Sequence, residues 1–342
     1  MNPPPKKTPP PAAAASSAPV APVAASAPEP AAVFRSGFVA LAGRANVGKS
    51  TLVNRLAGLR VAIVSPKPQT TRHAIRAIVD DGTSQIVFVD TPGLHKPTTR
   101  LGQLMVASAW DAFLDSDVAV LITDATRPGP DGHERQFCRK ATEAGKPVVL
   151  CINKVDKVRK ETLLPIMAAF AAASDFLAIV PVSASTGFGV DTLLAEIRAH
   201  LPEGPRYFPP ETSTDQTERM LVAEIVRERI LADTFEEIPH GTAVEIEAFE
   251  ETDEGGGRIE GDETSGRRFV RIQGRILCEK ETHKAILVGQ GGSMIKRIGT
   301  ESREAIERML GCRVHLDLRV KTKEDWKNDR SVLRDLGYGP ER

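Results

Sequence analysis

The chain has 342 residues, 41% of them hydrophobic and 26% charged, and its 45 Lys and Arg balance 45 Asp and Glu. That length suggests about two domains of ordinary size with real cores. A formal net charge of zero excludes bulk charge as a pointer to any partner, so a nucleic-acid surface can come only from uneven distribution along the chain.

Residues 1–33 are dominated by Pro, Ala and Ser, with Lys6 and Lys7 as cations. Proline interrupts the alanine runs, so neither a membrane span nor a continuous signal core can form there. No arginine precedes Arg35, which argues against a transit peptide, and the composition predicts a disordered, extended tail. The four cysteines, Cys138, Cys151, Cys278 and Cys312, lack CxxC or zinc-like spacing and sit in or beside apolar stretches. They read as small core residues in a reducing compartment.

From Phe38 the pattern changes. Short apolar runs at 38–42, 85–89, 118–123, 147–152 and 177–182 predict strands, and helical spacing marks 50–57, 100–114, 131–144, 162–173 and 191–201. Strands alternating with helices of this length imply βαβ units, hence an α/β fold with a mostly parallel sheet and helices on both faces. A further strand at 74–80 is close enough to 85–89 to form a hairpin across Asp81-Gly82. This first domain covers 34–203.

Within it, Gly43-Arg44-Ala45-Asn46-Val47-Gly48-Lys49-Ser50 fits G-x-x-x-x-G-K-[ST] between a predicted strand and a predicted helix. Glycines let backbone N–H groups close around phosphates, and the helix N-terminus, continuing through Thr51, adds positive potential. Lys49 would bridge the β- and γ-phosphates, and the Ser50 hydroxyl would ligate Mg²⁺. The next strand ends in Asp90-Thr91-Pro92-Gly93, where the carboxylate can hold the Mg²⁺ shell and the Gly93 N–H can approach a γ-phosphate. Between them, residues 65–76 carry Pro66, Pro68, Thr70 and Thr71, a loop that can offer a threonine hydroxyl to Mg²⁺ while the γ-phosphate is present.

Asn153-Lys154-Val155-Asp156 follows another apolar strand. The Asp156 carboxylate can accept from both guanine N1–H and the exocyclic amino group, donors that adenine lacks. Asn153 would support the base edge, Lys154 would pack over the base, and Ser183-Ala184 would bring a backbone N–H near guanine O6. These patterns, in this order at successive strand tips, specify a GTP/GDP site beyond the carboxyl ends of the strands. Ras-like GTPases place a water-orienting glutamine after the D-x-x-G glycine, but here the position is Leu94. Either hydrolysis is slow or another group substitutes: Asn46 is a candidate, through a monovalent cation such as K⁺ near the β/γ-phosphates or else only as a hydrogen-bond partner of the loop backbone, and His95 and Arg72 are polar groups nearby in sequence.

Proline and glycine mark 204–214 as a linker. Residues 215–342 then follow a different order: helix 215–231, strands 242–249 and 269–278, helices 282–288 and 293–310, and a strand at 312–320. The acidic, Gly-rich 250–266 reads as a solvated hairpin loop. The two helices are joined through Ile286-Leu287-Val288-Gly289-Gln290-Gly291-Gly292-Ser293-Met294-Ile295-Lys296-Arg297, whose G-x-x-G spacing within α-β-β-α-α-β is what a KH domain uses to clamp a single-stranded nucleic-acid backbone. Ile286, Val288 and Ile295 can floor such a groove. Lys284, Lys296, Arg297, Arg303, Arg313, Arg319, Lys321 and Lys323 give the region a basic character that the whole-chain charge conceals.

Taken together, GRANVGKST, QTTRHAIR, DTPGLHKP, NKVD, VSAS, GQGGSMIKRIG and DWKNDRSVLRDLGYG resemble the Era GTPases, a G domain followed by a type II KH domain, over about residues 36–339. The resemblance implies that Thr71, rather than Thr70, ligates Mg²⁺. It also implies a monomeric cytoplasmic GTPase that binds the 3′ end of 16S rRNA, assists 30S subunit assembly and associates peripherally with the inner membrane. Ala45 stands where the family usually has proline, and Gly291 where it often has lysine, which removes one phosphate contact. Two other readings are a GTP-binding RNA assembly factor with little hydrolysis, suggested by Leu94, and a tRNA-modification-type GTPase, which the single P-loop and missing cysteine motif disfavour.

Overall fold

The structure, a computed structural model, describes residues 1, 33–58, 61–65, 67, 70–93, 97–253 and 268–338. The tail at 2–32, Leu94 and His95, and the centre of the acidic loop at 254–267 lie outside the described residues. The fold follows from Phe34 onward.

Six strands make the first sheet: β1 (Arg35–Gly43), β2 (Ile75–Asp80), β3 (Ser84–Asp90), β4 (Val118–Asp124), β5 (Val148–Asn153) and β6 (Ala178–Pro181). Their order is β2-β3-β1-β4-β5-β6, parallel except for β2, which pairs antiparallel with β3 through the hairpin at Asp81-Gly82. The helices α1 (Lys49–Ala57), α2 (Arg100–Asp115), α3 (Gly132–Glu143) and α4 (Leu163–Ala171) connect them, and α5 (Val190–Ala199) follows β6. Side chains alternate across the sheet, so one core gathers Leu41, Phe88, Ile122 and Cys151 and the other Ala40, Leu121, Leu150 and Phe137. Covered on both faces, the strands need continuous apolar runs, which is why they read so plainly in the sequence. Because β1 lies between β3 and β4, the sheet order reverses there and opens a crevice at the carboxyl ends.

The second unit begins with α6 (Glu218–Asp233), followed by β7 (Thr242–Asp253), β8 (Arg268–Cys278), α7 (Glu281–Val288), α8 (Ser293–Leu310), β9 (Arg313–Thr322) and α9 (Arg330–Asp335). Strand β8 is central, antiparallel to β7 and parallel to β9. Val226, Ile230, Leu287, Ile298 and Ile306 from the helices pack on Val270, Ile272 and Ile276 of β8. The four cysteines are free thiols, three of them buried.

The Pro-rich connection is held along its length. Gln85 accepts from the Tyr207 and Phe208 N–H groups at 2.8 and 3.0 Å, and the Ile78 N–H donates to the Ser213 carbonyl at 2.9 Å. The segment thereby covers the outer edge of β2, whose groups would otherwise face open solvent. A further apolar cluster joins the two domains: Leu101 and Met105 of α2 with Ala243, Leu277, Trp326 and Leu333. Trp326 is fully buried, and its indole N–H donates to the Gly241 carbonyl at 3.0 Å. Trp326→Ala should cost about 3–5 kcal/mol of stability, seen as a lowered denaturation midpoint at unchanged slope. A loss below about 1 kcal/mol would remove this cluster from the load-carrying core.

Candidate functional site

The P-loop runs from the end of β1 into α1. Lys49 is buried and curls back across the loop, its Nζ donating to the Gly43 and Arg44 carbonyls at 3.1 and 3.0 Å. Burial lowers its pKa, against the opposing pull of Asp90. The loop's outer side is braced by an ion pair between Arg44 and Asp131, which Arg127 joins at 3.0 Å. Asp131 is also the N-cap of α3 and forms a capping box with Glu134. Burial works against its charge, yet the Glu134 N–H and the Arg44 and Arg127 guanidiniums hold its carboxyl at about 2.

Three oxygen side chains from three elements converge beside Lys49. Ser50 and Thr71 hydroxyls lie 3.1 Å apart, and each donates to Asp90 Oδ2 at 3.0 Å. Asp90 is fully buried, and its Oδ1 has no hydrogen-bond partner among the described residues. Burial raises its pKa, offset in part by Lys49, Thr71 and Ser50. A hard, all-oxygen set around an orphaned carboxylate oxygen fits Mg²⁺. The P-loop, Thr70, Thr71 and Gly93 line one cleft, and a β-carbon on Gly93 would meet Ala45 N at 3.3 Å and Lys49 Nζ at 3.6 Å. Leu94 and His95 are outside the described residues.

At the other end of the P-loop, Asn153 closes β5. Its Nδ2 donates to the Val47 carbonyl at 2.8 Å, and its Oδ1 accepts the Ala184 N–H at 3.0 Å. Both ends of the amide are taken by protein groups, as is the Ala184 N–H, so Asn153 braces the P-loop to the loop after β6. Lys154 adopts a left-handed φ of 65°, and its Nζ donates to the Asn46 carbonyl at 2.6 Å and to Asp124 at 2.7 Å. Asp156 accepts from the Ser183 hydroxyl at 2.6 Å. Sequence reasoning missed Asp124 and Asp131. Asp124 was findable, since it stands at the carboxyl end of β4, where ligands of such sheets gather. Asp131 reads as an N-cap and nothing more.

In the second unit the G-x-x-G turn joins α7 and α8. Gly289 sits at φ 72° and ψ 171°, a region essentially closed to other residues, and a β-carbon there would meet Met294 N at 2.8 Å. Gly291 and Gly292 also have positive φ. Ile286 is 48% exposed, Val288 and Ile295 are half-buried, and Gln290, Gly291, Ser293 and Lys296 are exposed. Arg297 is engaged by Asp233 and Glu301. Ion pairs likewise hold Lys284, Arg303, Arg319 and Lys323, but exposed pairs of this kind are worth about 0–1 kcal/mol and exchange readily for phosphate.

Switch-loop residues also reach the second unit. Arg72 is buried and donates to the Pro239, His240 and Thr242 carbonyls at 3.4, 3.2 and 2.6 Å, with its guanidinium over Trp326. Arg227 donates to the Thr70 carbonyl, and Lys67 to the Leu231 and Thr234 carbonyls.

A family model described as a 50S ribosome-binding GTPase matches residues 38–154, and a KH-domain model matches 237–327. GTPase Era of Ruminiclostridium cellulolyticum is 40% identical over 306 residues, covering 89% of this chain and 98% of that protein. GTPase Era of Alkaliphilus metalliredigens is 43% identical, covering 89% and 99%. Among solved structures, Era in complex with MgGDPNP and nucleotides 1506–1542 of 16S ribosomal RNA superposes with a TM-score of 0.81 at 35% identity, covering 90% of this chain and all of that one. A variant of Aquifex aeolicus Era bound to GDP·AlF4⁻ gives the same values.

Proposed function

Because the chain belongs to the Era family of GTPases, we propose that it couples GTP hydrolysis to binding of the single-stranded 3′ end of 16S rRNA and thereby assists 30S subunit assembly. The observation that carries this reading is the position of the 70–72 segment. Thr71 stands in the oxygen cluster with Ser50 and Asp90, while Thr70 and Arg72 are bonded to the KH-bearing unit. One short segment thus belongs to both sites, and any change in Thr71 reaches the RNA-binding domain.

Ser50, Thr71 and Asp90 would hold Mg²⁺, which neutralises charge developing on the β- and γ-phosphates. Lys49, already aimed across the P-loop, supplies a second positive charge to the same oxygens. Asp156 reads guanine, with Ser183 fixing its orientation. The Gly289–Gly292 turn lets the RNA backbone approach α7 and α8, and Ile286, Val288 and Ile295 support the bases.

Single-turnover GTP cleavage, measured with and without an oligonucleotide of the 16S 3′ end and in K⁺ and Na⁺ buffers, tests the coupling. Acceleration by the RNA, and by K⁺ acting near Asn46, is expected. No acceleration by either would favour a GTP-binding assembly factor that barely hydrolyses, the reading Leu94 suggests. On the family resemblance we extend the proposal to a monomeric cytoplasmic protein held peripherally at the inner membrane. Failure to float with anionic lipid vesicles would remove that last element.

A further inference from the structure

The described chain ends on residues 329–338. Asp329 caps α9, accepting from the Ser331 and Val332 N–H groups at 3.0 and 3.3 Å. At the other end Gly337 has φ 81°, a left-handed conformation that glycine adopts without strain. The Gly337 N–H donates to the Arg334 carbonyl at 2.9 Å, and the Tyr338 N–H to the Leu333 carbonyl at 2.7 Å. Those two bonds form the reversal that closes a helix at glycine. Leu333 is anchored in the interdomain cluster, so the reversal carries Tyr338 back onto the first domain.

There the Tyr338 ring stacks on His73, with centroids 4.1 Å apart and planes 13° from parallel. Its hydroxyl lies beside the Arg72 guanidinium. The flanks of Thr71 are therefore gripped at three points: Thr70 by Arg227, Arg72 by three carbonyls, and His73 by Tyr338. The third grip borders open space on one side. A cavity of about 280 Å³, bordered by Met220, Glu224 and Arg227, adjoins the stack. Without the Tyr338 ring, His73 has room to leave, and the segment leading into β2 can follow it.

We propose that residues 329–338 form a C-terminal clasp in which Tyr338 is a positioning residue, holding the 70–73 segment so that Thr71 stays beside Ser50 and Asp90. This rests on the reading of Thr71 as a Mg²⁺ ligand. A switch threonine reaches the metal only with the γ-phosphate present, so the clasp acts on triphosphate binding and spares diphosphate binding.

The test uses full-length protein and fluorescent analogues of GDPNP and GDP with Mg²⁺. Tyr338→Ala should weaken GDPNP binding by about three- to tenfold, the worth of an aromatic pair, and leave GDP binding unchanged. Tyr338→Phe keeps the stack and should restore most of the GDPNP affinity. Equal losses for both nucleotides would mean general damage and overturn the clasp, as would unchanged GDPNP affinity in a folded Tyr338→Ala protein. If that variant fails to fold, His73→Ala carries the same expectation from the other side of the stack. Thr71→Ala separates the two layers of inference. If it leaves GDPNP affinity intact, the Mg²⁺-ligand reading fails; if it weakens GDPNP while Tyr338→Ala and His73→Ala are silent, the clasp alone fails.

Discussion

Asp156→Asn should lower GTP affinity by roughly 10⁴-fold, the discrimination available to a site built on hydrogen bonds to its ligand, and convert the preference to xanthosine triphosphate. The structure supplies the reason for the sign. Ser183 Oγ donates to Asp156 Oδ1 at 2.6 Å, and the same bond keeps the oxygen of an asparagine on Ser183. The substituted amide nitrogen then faces the base. Against guanine it meets the N1–H and the exocyclic amino group, two donors with no acceptor between them. Xanthine offers a carbonyl in place of the amino group and accepts from that nitrogen. Titration calorimetry with both nucleotides checks the exchange. Retained GTP affinity would remove Asp156 from the base contact and leave it a partner of Ser183 alone. The Asn153 brace makes a useful contrast, since Asn153→Ala leaves the Val47 carbonyl and the Ala184 N–H unpaired and should weaken all nucleotides without changing the base preferred.

Gly292→Asp should lower affinity for the 16S 3′-end oligonucleotide by about 100-fold while GTP binding is unchanged. Gly292 has φ 80°, and the nearest atom to an added β-carbon is Ile295 Cγ2 at 4.0 Å. Aspartate is among the residues that tolerate a left-handed backbone, so the domain should still fold. What changes is charge: a carboxylate about 6 Å from a phosphate costs about 2.8 kcal/mol at an effective dielectric constant of about 20, close to 100-fold in binding. Fluorescence anisotropy across a salt series measures it, because the added repulsion should fade as ionic strength rises. RNA affinity equal to that of the unmodified protein would sink the assignment of this turn to RNA.

Much of both sites was legible because it is written locally. Helix α8 occupies residues 293–310, the span its periodicity predicts, since a glycine closes each end and an apolar stripe runs between. The buried strands showed as apolar runs for an equally local reason. Helix α6 was read less well: its pattern suggested 215–231, whereas it spans Glu218–Asp233. Thr214 is drawn instead to the Arg76 carbonyl at 2.7 Å, and Thr217 caps the helix, so a contact with the first domain delays its start. The linker shows the same limit. Its composition announced an irregular chain, and nothing in it announced that Gln85 and Ile78 would hold that chain against β2.

The sequence by itself determined the motifs that depend on spacing within a turn of backbone: the phosphate loop, the Asn153–Asp156 segment after β5, the paired glycines of the second domain, and hence the family. Only the tertiary structure decided what those elements are attached to. Arg72 finds its carbonyls 167 to 170 residues away, and His73 finds Tyr338 at the far end of the described chain. Such pairs carry no signature in either partner's neighbourhood, because an arginine bound for buried carbonyls and one bound for solvent share the same local pattern. Their meeting is set by two sheets, a strapped linker and the Trp326 cluster acting together, so it becomes visible only when the whole chain is folded.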